Sequence, residues 1–140
     1  RLNVPFVDAT KITHDIETEL GIEGSRKLHM WFRPGECSQI PKGRQDNTHY
    51  NVYGARLVAN ALADEIGKQV PELKKHVRHY DYVVSTRGRG NYFTLQDAVD
   101  AVPAGKRVKV LVLDGSWKKP ENMKGKKIKF ILQFGAKITD

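Results

Sequence analysis

The chain has 140 residues, the size of one ordinary domain, and its 39% hydrophobic content is compatible with a packed core. No apolar run approaches the ~20 residues needed to cross a bilayer, so a membrane span is not expected, and one cysteine, Cys37, leaves no internal disulfide. The net charge of +8 raises the local concentration of polyanions (nucleic acid, an anionic membrane surface or an acidic polysaccharide) without choosing among them, and a solvated basic surface with no specific partner accounts for it equally well.

The chain opens at Arg1 with neither an initiator methionine nor a charged-then-apolar leader, so it reads as a processed chain or a fragment, and its motifs favour a fragment. Residues 2–8, Leu-Asn-Val-Pro-Phe-Val-Asp, predict a short buried strand, with Pro5 arguing for an edge or a strand start. Asp8 or Thr10 can cap a helix whose Ile12, Ile16 and Leu20 share one face, and Gly21 is expected to stop it. A short segment, 25–32, ends in Met30-Trp31-Phe32, and Arg33-Pro34-Gly35 is a turn. Residues 36–50 are polar and without period, and predict a loop in which Cys37 is a plain thiol. A second helix is predicted over Val52–Ile66, with Ala55, Val58, Ala59, Leu62 and Ile66 as its apolar stripe and Gly67 and Pro71 ending it.

The basic stretch 67–80 marks a boundary, after which the pattern changes. Asp81–Ser85 reads as a strand, Arg87–Gly90 as a turn, and Thr94 as the cap of a short helix with Leu95, Ala98, Val99 and Val102 on its buried face and Pro103 at its end. Val108–Leu113 is a strand, Asp114-Gly115 a turn, and Ile128, Phe130, Leu132 and Phe134 alternate along a last strand. Trp31, Phe32, Phe130 and Phe134 read as core rather than as sugar-stacking platforms.

Chemistry concentrates at Asp46-Asn47-Thr48-His49. A histidine just before a helix can face a cleft, and a carboxylate three residues earlier can fold back onto one ring nitrogen, leaving the other as a general base for a hydroxyl. On spacing alone an incidental loop histidine is the commoner explanation. His76 and His79 stand three residues apart, but no cysteine or carboxylate set completes a metal site, so no metal and no cofactor are expected. Gly88-Arg89-Gly90 lacks the Gly-Lys-Ser/Thr of a phosphate loop. Asp97, Asp100 and Asp114 take ordinary capping, surface and turn roles. A rival reading makes Lys118, Lys119, Lys124, Lys126, Lys127 and Lys129 a basic face for polyanionic sugar or nucleic acid, with His49 incidental.

The longer string around the pair, Asp46-Asn47-Thr48-His49 followed by Gly54-Ala55, resembles the last conserved block of the SGNH (GDSL-type) hydrolases. With Val4–Asp8, Met30–Glu36 and Lys42-Gly43, residues 1–75 resemble the C-terminal third of a rhamnogalacturonan acetylesterase. That resemblance implies an α/β fold, the C-terminal portion of a flavodoxin-like three-layer sandwich, with Asp46 orienting the ring and His49 acting as base. The family's Gly-Asp-Ser nucleophile block and its oxyanion-hole Gly and Asn blocks are not present, and Ser25, Ser38, Ser85 and Ser116 lie in other contexts. This chain alone is therefore expected to have little or no esterase activity.

Residues 81–140 carry a second resemblance. Tyr82–Ser85, Gly88–Pro103, Arg107–Gly115, Glu121-Asn122 and Lys127–Leu132 are similar to the opening of a pectin methylesterase, implying the first strands of a right-handed parallel β-helix. Trp117 stands where a tyrosine is more usual, and Arg87 and Arg89 replace small or acidic residues. The domain reading is thus 1–75, a linker at 76–80, and 81–140. Taken together the resemblances imply a fragment of a pectin-degrading carbohydrate esterase, with an inactive truncated product or a basic polyanion-binding module as alternatives. The partner implied is an acidic pectic polysaccharide rather than nucleic acid or a membrane. The location, inferred from that substrate alone, is extracellular or periplasmic.

Overall fold

A computed structural model describes residues 4–140. The chain divides into two compact units, Arg1–Val77 and Arg78–Asp140. The fold is mixed α/β with parallel sheets, and the parallel strands lie in the second unit.

In the first unit, α1 (Ala9–Arg26) starts at Asp8, whose side chain accepts the Lys11 backbone N–H at 2.9 Å. The regular helix ends at Gly21, as expected, where φ is 65° and ψ −174°, and after that kink a second short helical run continues to Arg26. Leu2 and Asn3 of the expected first strand lie outside the described residues. Residues 4–8 form no strand, and Val4 and Phe6 are exposed; among the described residues no strand pairs with them.

Strand β1 (His29–Phe32) pairs antiparallel with β2 (Arg44–Tyr50), which corrects the loop expected over 36–50. Both faces of β2 carry polar side chains, so it shows no alternation, and its ladder to β1 rather than a buried face makes it a strand. Helix α2 (Val52–Gln69) runs past the expected end at Ile66. Gly67 is buried inside it because the turn of α3 (Pro71–Lys74) passes close by: a Cβ there would stand 3.2 Å from Val77 Cγ2. Of the predicted stripe only Val58 is fully buried, while Ala55, Ala59 and Ile66 are exposed.

In the second unit, β3 (Tyr82–Val84) leads to α4 (Leu95–Asp100), capped by Thr94 Oγ1 accepting the Asp97 N–H at 3.1 Å. Then follow β4 (Arg107–Val112), β5 (Ser116–Lys118), β6 (Lys127–Leu132) and β7 (Lys137–Thr139). Strands β3, β4 and β6 form one parallel sheet and β5 and β7 a second, so the chain passes from one sheet to the other and back, setting Arg107 beside Lys127 and Ser116 beside Lys137. The core lies between β4 and α4: Val84, Leu95, Ala98, Val102, Val108, Val110, Val112 and Ala136 are buried together. Leu132 and Phe134, expected in that core, are exposed, since β6 ends at Leu132 and the chain turns away at Gly135 (φ 90°).

Asp114 ties this unit's turns. It accepts Ser85 Oγ at 2.8 Å and both the N–H and the hydroxyl of Thr86 at 2.7 Å, and these bonds, the Thr86 side chain first, hold its carboxyl below the usual range. Among the described residues no helix is long and apolar enough to cross a membrane.

Candidate active site

The ladder between β1 and β2 runs Phe32–Arg44, Trp31–Gln45, Met30–Asp46 and then jumps to His29–Tyr50. Asn47, Thr48 and His49 therefore have no partner on β1 and bulge out of the strand. Asp46 closes that bulge as an Asx-type turn: its Oδ1 accepts the backbone N–H of Thr48 at 2.8 Å and of His49 at 3.0 Å. The same turn swings the imidazole back, and His49 Nδ1 sits 2.9 Å from Asp46 Oδ2. The three-residue spacing is thus the span that lets one carboxylate grip both the backbone and the ring of the same histidine.

The electrostatics favour an ionised Asp46. The His49 and Thr48 backbone N–H groups, with smaller help from the His49 ring and Arg44, hold its carboxyl far below the usual carboxylate range against a modest desolvation cost. An ionised carboxylate can only accept, so Nδ1 carries the proton and Nε2 carries the lone pair. The Asp46 side chain is 12% exposed and the His49 side chain 66% exposed. Nε2 makes no hydrogen bond among the described residues, and in the neutral ring it holds the lone pair. Such an arrangement can take a proton from a hydroxyl and stabilise the imidazolium that results.

The frame around the pair is polar and specific. Asn47 Oδ1 accepts Trp31 Nε1–H at 2.7 Å, pinning the bulge to β1, and the Arg26 guanidinium lies 4.7 Å over the Trp31 ring. Tyr50 ends the bulge; its ring packs on His29 at 4.7 Å and its hydroxyl donates to Glu17 at 2.6 Å, with burial and that carboxylate pushing its pKa up to about 12. Asn51 then starts α2, accepting the Gly54 N–H at 2.9 Å while its amide donates to the carbonyls of Lys27 and His29 at 2.8 Å. A Cβ on Gly54 would stand 2.2 Å from the Leu28 carbonyl oxygen, so only glycine lets the helix start this close to β1.

The structure brings Asp46 and His49 together. No hydroxyl or thiol among the described residues hydrogen-bonds the His49 ring; Ser25 Oγ instead donates to Glu17 and Cys37 Sγ to Gln39. Arg44, which donates to Asp46 Oδ2 at 2.6 Å, was missed by sequence reasoning. Its signal was the i, i+2 spacing to Asp46, which places both on one face once the segment is a strand. The six lysines of the rival reading do not share a face: Lys126 Nζ caps α4 through the Val99 carbonyl at 2.6 Å, Lys118 lies on β5, and Lys127 and Lys129 lie on β6 in the other sheet. Among the described residues no group of three or more His, Cys, Asp or Glu side chains is placed to hold a metal ion.

The chain is similar to the rhamnogalacturonan acetylesterase RhgT of Bacillus subtilis (strain 168), with 37% identity over 76 residues, which is 54% of this chain and 33% of that protein. It therefore spans about a third of the length of the curated relative it matches. No protein-family model matches the chain, and no solved structure matches it.

Proposed function

We propose that this chain is part of an SGNH-type carbohydrate esterase that hydrolyses acetyl esters on rhamnogalacturonan, an acidic pectic polysaccharide. The observation that carries the reading is the bond between His49 Nδ1 and Asp46 Oδ2 at 2.9 Å, with Nε2 open. The similarity to RhgT supports the substrate class. In this reading residues 1–75 belong to a three-layer α/β sandwich, and the nucleophilic serine and oxyanion hole come from Gly-Asp-Ser, Gly and Asn blocks elsewhere in the full-length protein.

The serine Oγ attacks the acetyl carbonyl carbon and its proton passes to His49 Nε2, while Asp46 holds the Nδ1–H and balances the imidazolium. The sugar oxygen leaves with the Nε2 proton, freeing a hydroxyl. Water, deprotonated by the same nitrogen, then attacks the acetyl-serine carbonyl, the serine oxygen leaves with that proton from Nε2, and acetate is released. This chemistry needs no cofactor. Residues 81–140 are read as the first coils of a parallel β-helix like that of a pectin methylesterase, a reading supported by the stacking of β6 on β4 and β7 on β5. A parent able to remove both acetyl and methyl esters would act on one polymer, outside the cell or in the periplasm.

Acetate release from acetylated rhamnogalacturonan by the full-length protein tests this. His49→Ala should lower the rate by a factor on the order of 10⁴ or more, since triad members act as a unit. An unchanged rate in that variant would refute the assignment.

A further inference from the structure

We propose that the outer face of the β3-β4-β6 sheet is a second, non-catalytic binding surface for a linear polyuronate, built from Arg107, Lys109, Lys127 and Lys129. The first four residues of β4 alternate, with Val108 and Val110 buried and Arg107 and Lys109 exposed; on β6 Lys127 and Lys129 are exposed in the same phase. The parallel register sets Arg107 directly beside Lys127 and Lys109 directly beside Lys129. Strand geometry fixes the spacing of the four cations, about 4.8 Å between strands and about 6.6 Å along each.

Like charges directly opposite on neighbouring strands repel and cost stability. Here they are not neutralised within the chain: among the described residues none of the four makes an ion pair. The Asp81 carboxylate accepts the backbone N–H of Lys109 at 2.8 Å and sets one negative charge beside the four positive ones, leaving the array with a net positive charge. Protection of a sheet edge against strand pairing accounts for lysines on β6, which is an edge strand, but not for Arg107 and Lys109 on the central strand β4. A rigid two-by-two array of unpaired cations is complementary to a chain that carries carboxylates at regular intervals.

A polyuronate is favoured over nucleic acid on this face because neither row presents an aromatic ring beside the cations: beyond them the rows run into Leu111, which is buried, and Ile131, which is half-buried. Single-stranded nucleic acid is held by base stacking on aromatic side chains as well as by charge. The choice of a uronate polymer rests on the esterase reading above, while the array itself does not.

The test is binding of the 140-residue chain to an oligogalacturonate, to a fully methyl-esterified oligomer of the same length, and to single-stranded DNA of equal charge, across a salt series. The unesterified oligomer should bind, with log K falling against log salt at a slope of about −3 for four neutralised cations, and the esterified one should bind at least tenfold more weakly. A variant with Arg107, Lys109, Lys127 and Lys129 all changed to Gln should lose at least tenfold in affinity and most of that slope. Its melting temperature should be unchanged or raised, because the replaced charges repel one another. Lys118→Gln/Lys119→Gln/Lys124→Gln removes three cations elsewhere in the unit and should bind like the wild type. The proposal is overturned if the wild-type chain does not bind, if the quadruple variant binds as well as the wild type, or if the array binds the DNA more tightly than the uronate. None of these results depends on acetate release, so they leave the role of His49 to its own measurement.

Discussion

Asp46 spends both carboxylate oxygens on a few residues of its own strand: one on the backbone of Thr48 and His49, the other on the His49 ring and Arg44. Its folded pKa is depressed, so the stability it contributes is fully present above its unfolded value of about 3.9 and is lost as pH falls through the folded value. Amide exchange at Thr48 and His49 should therefore stay slow from neutral pH down into the ordinary carboxylate range and quicken only in stronger acid. Asp46→Asn should speed exchange at both amides at neutral pH and remove the acid step, which hydrogen-exchange NMR would register. The Asp46–His49 spacing was readable from the sequence because an i, i+3 carboxylate has a short-range geometric consequence. Arg44 was not, because its relation to Asp46 exists only after the segment becomes a strand.

At the scale of elements, the sequence reveals those that bury an apolar face. The helix after Thr94 was readable because Leu95, Ala98 and Val102 enter one core and Val99 is buried as well. Strand β2 was not, since Arg44, Gln45, Asp46, Asn47, Thr48 and His49 have no apolar alternation and its register with β1 is set by a partner remote in sequence. Gly67 was misread as a stop because a glycine demanded by close packing and one demanded by a turn look the same in a string of letters. The joint between β1 and α2 makes a sharp prediction. Gly54→Ala must push the helix start away from Leu28 and should destabilise the first unit by about 1–3 kcal/mol or more, seen as a lower denaturation midpoint, and should loosen the bulge that carries His49.

At the scale of the whole molecule the two units are unequally built. Among the described residues, only Leu28 and Val58 are buried apolar side chains in Arg1–Val77, whereas the second unit holds the continuous cluster around Val84, Val110 and Val112. Burial of apolar area is the main favourable term in folding, so the first unit should unfold at lower denaturant concentration. Each unit carries one tryptophan, Trp31 and Trp117. Trp117→Phe leaves fluorescence reporting on the first unit and Trp31→Phe on the second; coincident urea transitions in the two variants would show that the chain unfolds as one cooperative body instead.

Among the described residues β6 lies at the edge of one sheet and β7 at the edge of the other, and Phe134, just beyond β6, is fully exposed. Such rims are sticky: each offers a row of open backbone groups to any extended strand that arrives. Lys127, Lys129 and Lys137 on those strands keep copies of the protein apart by mutual repulsion, a protection that dissolved salt weakens by shortening the reach of charge. The solubility of this 140-residue stretch on its own should therefore depend on ionic strength, with dilute buffer the condition in which its rims stay solitary.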